Sequence, residues 1–129
     1  MIVLDTHAWL WWVQGAGSEL PAAARRFIDC SPAVTVASVS CLEVAWLAKK
    51  GRIALRVPIE KFFAAALEGS KIELIALTPS IAARSAALPD IHRDPIDRVI
   101  IASAIDRDAE LITRDGMISQ YPGVRVRWD

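Results

Sequence analysis

At 129 residues and 14.1 kDa the chain is sized for one hydrophobic core, and 53% hydrophobic against 23% charged residues excludes a disordered polyelectrolyte. Fifteen Lys and Arg balance fifteen Asp and Glu, so no global positive field exists to coat a long nucleic acid, and any polyanion has to be gripped locally. No stretch free of charged side chains, Thr6–Ser18 being among the longest, reaches the ~20 apolar residues that span a bilayer, which excludes a transmembrane helix.

Met1-Ile2-Val3-Leu4 is a short apolar run of the kind buried on both faces of a parallel sheet, and Asp5 ends it. An acid stands where an export peptide carries a basic region, so the run reads as a strand and not as a leader. The tryptophan-rich helix that follows stops at Gly15 and Gly17, and Pro21 opens a second helix as a first-turn proline. Ala33–Ala37 is the second strand. Ser40 then caps a helix that runs to Gly51, where glycine suits the left-handed position past a helix end. Pro58 opens a helix that Gly69 closes, and Ile72–Leu77 is the third strand. Thr78-Pro79 is again a cap followed by proline, Leu88–Arg93 is a loop, and Asp94-Pro95 begins a helix that reaches about Arg107. Glu110–Thr113 is the fourth strand and Val124–Trp128 a short last one. Alternating strands and helices predict a single α/β domain over residues 1–129 with a mostly parallel sheet, its site at the carboxyl ends of the strands. Two cysteines, Cys30 and Cys41, in apolar contexts fit a reducing cytoplasm better than a disulfide framework.

Four acids fall on that edge: Asp5 after strand one, Glu43 in the first turn after strand two, Asp97 in the first turn of the Asp94-Pro95 helix, and Asp115 after strand four. Each has a plain structural role available. Glu43 lies three residues after Ser40, as in a capping box, Asp97 suits the helix dipole, and Asp115 before Gly116 is an ordinary turn residue. Asp5 has the strongest functional reading, because an acid directly ending a buried strand is uncommon without a site. Carboxylates brought together repel, and a divalent cation relieves them; an all-oxygen set suits Mg²⁺ or Mn²⁺ and not zinc.

The segments Met1–His7, Ser40–Ala45, His92–Arg98 and Leu111–Asp115 together resemble the motifs of PIN-domain ribonucleases, specifically VapC-type toxins of toxin–antitoxin modules. The resemblance covers essentially the whole chain, and the Arg93-Asp94-Pro95-Ile96-Asp97-Arg98 block is its most distinctive part. It implies a three-layer α/β/α sandwich in which Asp5, Glu43, Asp97 and Asp115 form the pocket of a Mg²⁺- or Mn²⁺-dependent endoribonuclease. Asp5 and Asp97 are then the direct metal ligands. Glu43 is a further ligand or orients the water, and Asp115 acts through water or on a second ion. Thr6, Thr113, His92, Arg98 and Arg114 are the accessory candidates around the substrate, although each also has a structural role open to it, Asp94 being assigned to capping. The resemblance further implies a homodimer and a VapB-like antitoxin whose basic side chain enters the pocket.

Trp9 and Trp12, three apart, share one face of the first helix, whereas Trp11 points elsewhere. One face suits the core; the other suits the antitoxin groove, with stacking of RNA bases as the rival. A haloacid-dehalogenase-like phosphotransferase needs a second acid two residues after Asp5, where His7 stands, and a receiver domain needs a late lysine, although none follows Lys71. A non-toxin RNA-processing nuclease and a PIN-like module that only binds protein remain as alternatives.

Overall fold

Five strands form in the expected chain order: β1 (Ile2–Leu4), β2 (Val34–Ala37), β3 (Glu73–Ile75), β4 (Glu110–Ile112) and β5 (Arg125–Arg127). In the computed structural model, which describes residues 1–15 and 17–129, they build one sheet in the order β3-β2-β1-β4-β5. Every neighbouring pair is parallel, so the sheet expected to be mostly parallel is parallel throughout. β1 is central, with Ile2 opposite Val34 on one side and Glu110 on the other. The chain winds outward from β1 through β2 to β3, then returns to the other side for β4 and β5. That reversal leaves a crevice past the carboxyl ends of β1 and β4.

Side-chain alternation along the strands divides the core in two. Ile2, Leu4, Val36 and Ile112 face one layer, built from α1 (Thr6–Gln14), α2 (Ala22–Asp29), Val44 of α3 (Val39–Lys49) and the partly buried Phe62 and Phe63 of α4 (Ile59–Phe63). Val3, Ala37, Ile75 and Leu111 face the other, built from α5 (Pro79–Ala87) and α6 (Pro95–Asp106). This is a three-layer α/β/α arrangement. α6 is buried without a break from Arg98 to Ala104, so it carries no solvated stripe there. Its start is fixed by the Asp94 side chain, which accepts the Ile96 N–H at 2.9 Å, with Pro95 in the first turn.

Three local expectations change. Pro21 precedes α2 as its cap residue instead of entering the first turn. The helix after Pro58 becomes a π-helical turn at Ala64–Glu68, and the Ala66 carbonyl accepts the indole N–H of buried Trp9 at 3.3 Å. Ser40 does not cap α3. The helix starts directly off β2 at Val39, and Ser38, in the cap position, uses its hydroxyl to accept the Leu77 N–H at 3.2 Å, tying the chain after β3. Gly51, in contrast, has the expected left-handed backbone, with φ +72° just past the end of α3. Both cysteines are free thiols. No helix among the described residues is long and apolar enough to cross a membrane.

Candidate active site

The crevice past β1 and β4 holds a cavity of about 510 Å³ lined by Asp5, Thr6, His7, Trp11, Glu43, Asp94, Asp97, Arg114 and Asp115. All four acids singled out in the sequence line it, and Asp94 makes a fifth. Asp5 ends β1 and caps α1: its Oδ1 accepts the Ala8 N–H at 2.8 Å. Burial raises its carboxyl above the ordinary range, and the Glu43 charge adds to the rise, against hydrogen bonding from Thr113 and Ala8 and the charge of His7.

Glu43 reaches the cavity because of a contact 34 residues long in sequence. The Thr6 hydroxyl, in the first turn of α1, donates to the buried Ser40 hydroxyl at 3.0 Å. Ser40 and Glu43 are three apart and therefore share a face of α3, so the tie that docks α3 on α1 also turns Glu43 inward. Glu43 belongs to the second turn and not the first, and with Ser40 engaged elsewhere there is no capping box to occupy its carboxylate.

Asp97 is the third residue of α6. Its carboxyl is pushed up to about 6 by burial, then by the charges of Asp94 and Glu43, with Asp5 adding and His92 opposing. The acids therefore feel one another across the cavity. Asp115 caps the short 3-10 helix Gly116–Gln120 by accepting the Met117 N–H at 3.0 Å, and its own N–H donates to the Thr113 hydroxyl at 3.1 Å. Buried Thr113 thus links the acid ending β1 to the acid following β4.

The accessory candidates separate. Thr6 lines the cavity, although its hydroxyl proton goes to Ser40. Arg114 lies at the rim, exposed, 3.2 Å from Glu19 and above the Trp11 ring. His92 is not in the lining. Its Nε2 stands 2.9 Å from Asp115 Oδ2, in poor hydrogen-bond direction, and its ring stacks on buried Tyr121, whose hydroxyl accepts the His92 N–H at 2.6 Å. Arg98 is a correction to the substrate reading. Its guanidinium is buried and donates to the carbonyls of Ser85, Ala86, Leu88, Pro89 and His92, so it clasps the end of α5 and the following loop.

Sequence reasoning missed His7, Trp11 and the cavity role of Asp94. The signal for the first two was present in their i,i+4 spacing, which puts them on one face of α1 beginning beside Asp5. Trp9 is fully buried, and Trp12 is held by a 3.1 Å hydrogen bond from its indole N–H to Asp29. That leaves Trp11 as the α1 tryptophan in the cavity wall.

The donors are five carboxylates beside the single imidazole of His7, with no thiol, which fits a hard divalent ion. Two acids made harder to ionise by burial and by their neighbours are what such an ion would relieve. Among the described residues no three His, Cys, Asp or Glu side chains stand close enough to chelate one ion as they are. The fit is therefore to an ion that keeps part of its water shell, as Mg²⁺ commonly does with one or two carboxylates.

Comparison with known proteins bears on the fold and the family. Ribonuclease VapC22 of Mycobacterium tuberculosis is 36% identical over 121 residues, 93% of this chain and 91% of that protein. The fold superposes on a toxin–antitoxin complex from Klebsiella pneumoniae with TM-score 0.68 and 26% identity, over 96% of this chain and 95% of that one. DNA-bound VapBC from Salmonella typhimurium gives TM-score 0.69 at 17% identity, over 98% and 96%, a likeness of fold alone. The sequence profile of the PIN domain matches residues 2–124. With a profile match spanning nearly the whole chain and a relative this similar, the chain belongs to the PIN domain family.

Proposed function

We propose that this chain is a Mg²⁺- or Mn²⁺-dependent endoribonuclease and the toxin of a VapBC-type pair. The observation that carries the reading is the convergence of Asp5, Glu43, Asp97 and Asp115, from four separate segments, on one open cavity at the switch point of a parallel sheet. When bound, a divalent ion supplies charge neutralisation for a phosphodiester and lowers the pKa of water. Asp5 and Asp97 would hold it, and Asp115 would support it through water or a second ion. Glu43 accepts a hydrogen bond from the attacking water at its carboxylate and so aims the oxygen at phosphorus, in line with the 3′ oxygen that leaves as the P–O bond to it breaks and takes a proton from solvent. Arg114 exchanges its exposed Glu19 contact for a substrate phosphate.

Thr6, Thr113 and His92 position these groups. Thr6 holds α3 and hence Glu43, Thr113 joins Asp5 to Asp115, and His92 braces Asp115 from behind.

The similarity to a protein named a ribonuclease and to a solved toxin–antitoxin complex supports RNA as substrate and a VapB-like antitoxin as partner. Exposed Leu42 and Trp46, on one face of α3, support a homodimer, and the free thiols suit the cytoplasm. Incubating the purified protein with total RNA in Mg²⁺, in Mn²⁺ and in EDTA tests the activity. Cleavage with either ion and none in EDTA is expected; cleavage undiminished by EDTA overturns the metal assignment, and none under any condition overturns the nuclease.

A further inference from the structure

A second cavity of about 510 Å³ lies beside the acidic one, and Arg114 lines both. Its wall includes Phe27, Ser119, Arg127, Trp128 and Asp129. The rings of Trp11, in the wall of the first cavity, and Trp128, in the wall of the second, are 5.9 Å apart and tilted by 58°. The Arg114 guanidinium carbon lies 5.8 Å from the centre of the Trp11 ring. The two cavities differ in charge: five acids and Arg114 line the first, Arg114, Arg127 and Asp129 the second. Arg127 stacks over Phe27 and pairs with Glu110, while remaining half exposed.

We propose that these two cavities are one track for single-stranded RNA, crossing at Arg114, with a nucleotide beyond the two that flank the scissile phosphate stacked on Trp128. The inference rests on the ribonuclease reading and adds the path of the strand. A phosphate outside the acidic cavity needs cationic partners, and Arg114 and Arg127 are cationic groups along the second one. A base leaving the acidic cavity meets the Trp11–Trp128 pair, and aromatic side chains combined with arginine are the general means of holding single strands without sequence preference. A basic peptide fits the first cavity but is opposed by the arginines of the second. The charge pattern therefore favours RNA as the ligand that spans both.

The test is binding of labelled single-stranded oligoribonucleotides to the purified protein, with Ca²⁺ replacing Mg²⁺. The probes are a dinucleotide, an octanucleotide and an octanucleotide lacking its bases. Wild type binds the octamer more tightly than the dimer, and Trp128→Ala removes about tenfold of that gain while leaving dimer affinity unchanged. Trp128→Phe keeps most of the gain, and the abasic octamer binds wild type and Trp128→Ala alike. If Trp128→Ala does not fold, the wild-type preference for the octamer over its abasic form and its retention in Trp128→Phe carry the test.

No length gain in wild type, an unchanged gain in Trp128→Ala, or an equal loss with the abasic probe overturns the proposal. So does a loss of affinity in Trp128→Ala confined to a basic antitoxin peptide. If wild type cleaves RNA in Mg²⁺ and any of these results appears, the track is wrong and the nuclease stands; if wild type does not cleave, the nuclease reading has failed first.

Discussion

Asp97 keeps its proton up to about pH 6 in the folded protein, against 3.8 for the ordinary group, so the folded state binds protons that the unfolded state has released between those values. Metal-free stability therefore falls as pH rises through that window, and the benefit of the retained proton is gone above it; the raised Asp5 carboxyl acts in the same direction. Asp97→Asn removes the charge. Discounted for partial solvent screening, the metal-free variant is expected to be about 1–2 kcal/mol more stable than wild type at pH 7, with a flatter profile between pH 4 and 6. Urea unfolding in EDTA across that range checks both, and equal stability at pH 7 contradicts the clustering of the acids. Arg98 makes the opposite case. Arg98→Ala leaves several part-buried carbonyls at the end of α5 and in the following loop without donors and is expected to cost about 3 kcal/mol or more, read as a lower urea midpoint, with Arg98→Lys restoring only part.

The elements depend on ties whose partners lie far apart in sequence. Thr6 and Ser40 join α1 to α3, and the same contact turns Glu43 into the cavity. A double-mutant cycle of Thr6→Val and Ser40→Ala should give a coupling of about 1 kcal/mol in stability, together with a loss of RNA cleavage in each single variant larger than the stability change explains. No coupling contradicts the tie. β1, β2 and β4 were legible from sequence because short apolar runs ended by Asp, Ser or Thr admit few other structures, and the start of α6 was legible because Asp94-Pro95 combines a cap with a first-turn proline. The start of α3 was not. Ser40 followed by Glu43 matches a local capping box, and only the position of Thr6 across the crevice shows that the serine faces another helix. Arg98 was misread for a similar reason: its five acceptors belong to the end of α5 and the loop after it, whose fold local sequence does not disclose.

The overall neutrality of the chain hides a local separation of charge. Fifteen acids balance fifteen bases in the sequence, yet five of the acids line one cavity with Arg114 alone against them, while Arg114 and Arg127 stand with the single acid Asp129 in the cavity beside it. The parallel sheet produces this by ending β1 and β4 side by side, so that residues more than a hundred positions apart share a wall. Mg²⁺ is accordingly expected to raise the melting temperature of wild type and to have little effect on Asp97→Asn, which differential scanning of the two proteins measures. For the α3 surface, Trp46→Glu is expected to shift a dimer to monomer in sedimentation, and an unchanged mass excludes that face as the interface. The most direct test of the central claim is RNA cleavage in Mg²⁺ by wild type, Asp5→Asn and Asp97→Asn in parallel. Asn at position 5 still caps α1, and neither change enlarges a side chain, so both variants should fold. The account predicts cleavage by wild type and a loss greater than about a hundredfold in each variant; a folded variant that cleaves at the wild-type rate contradicts it.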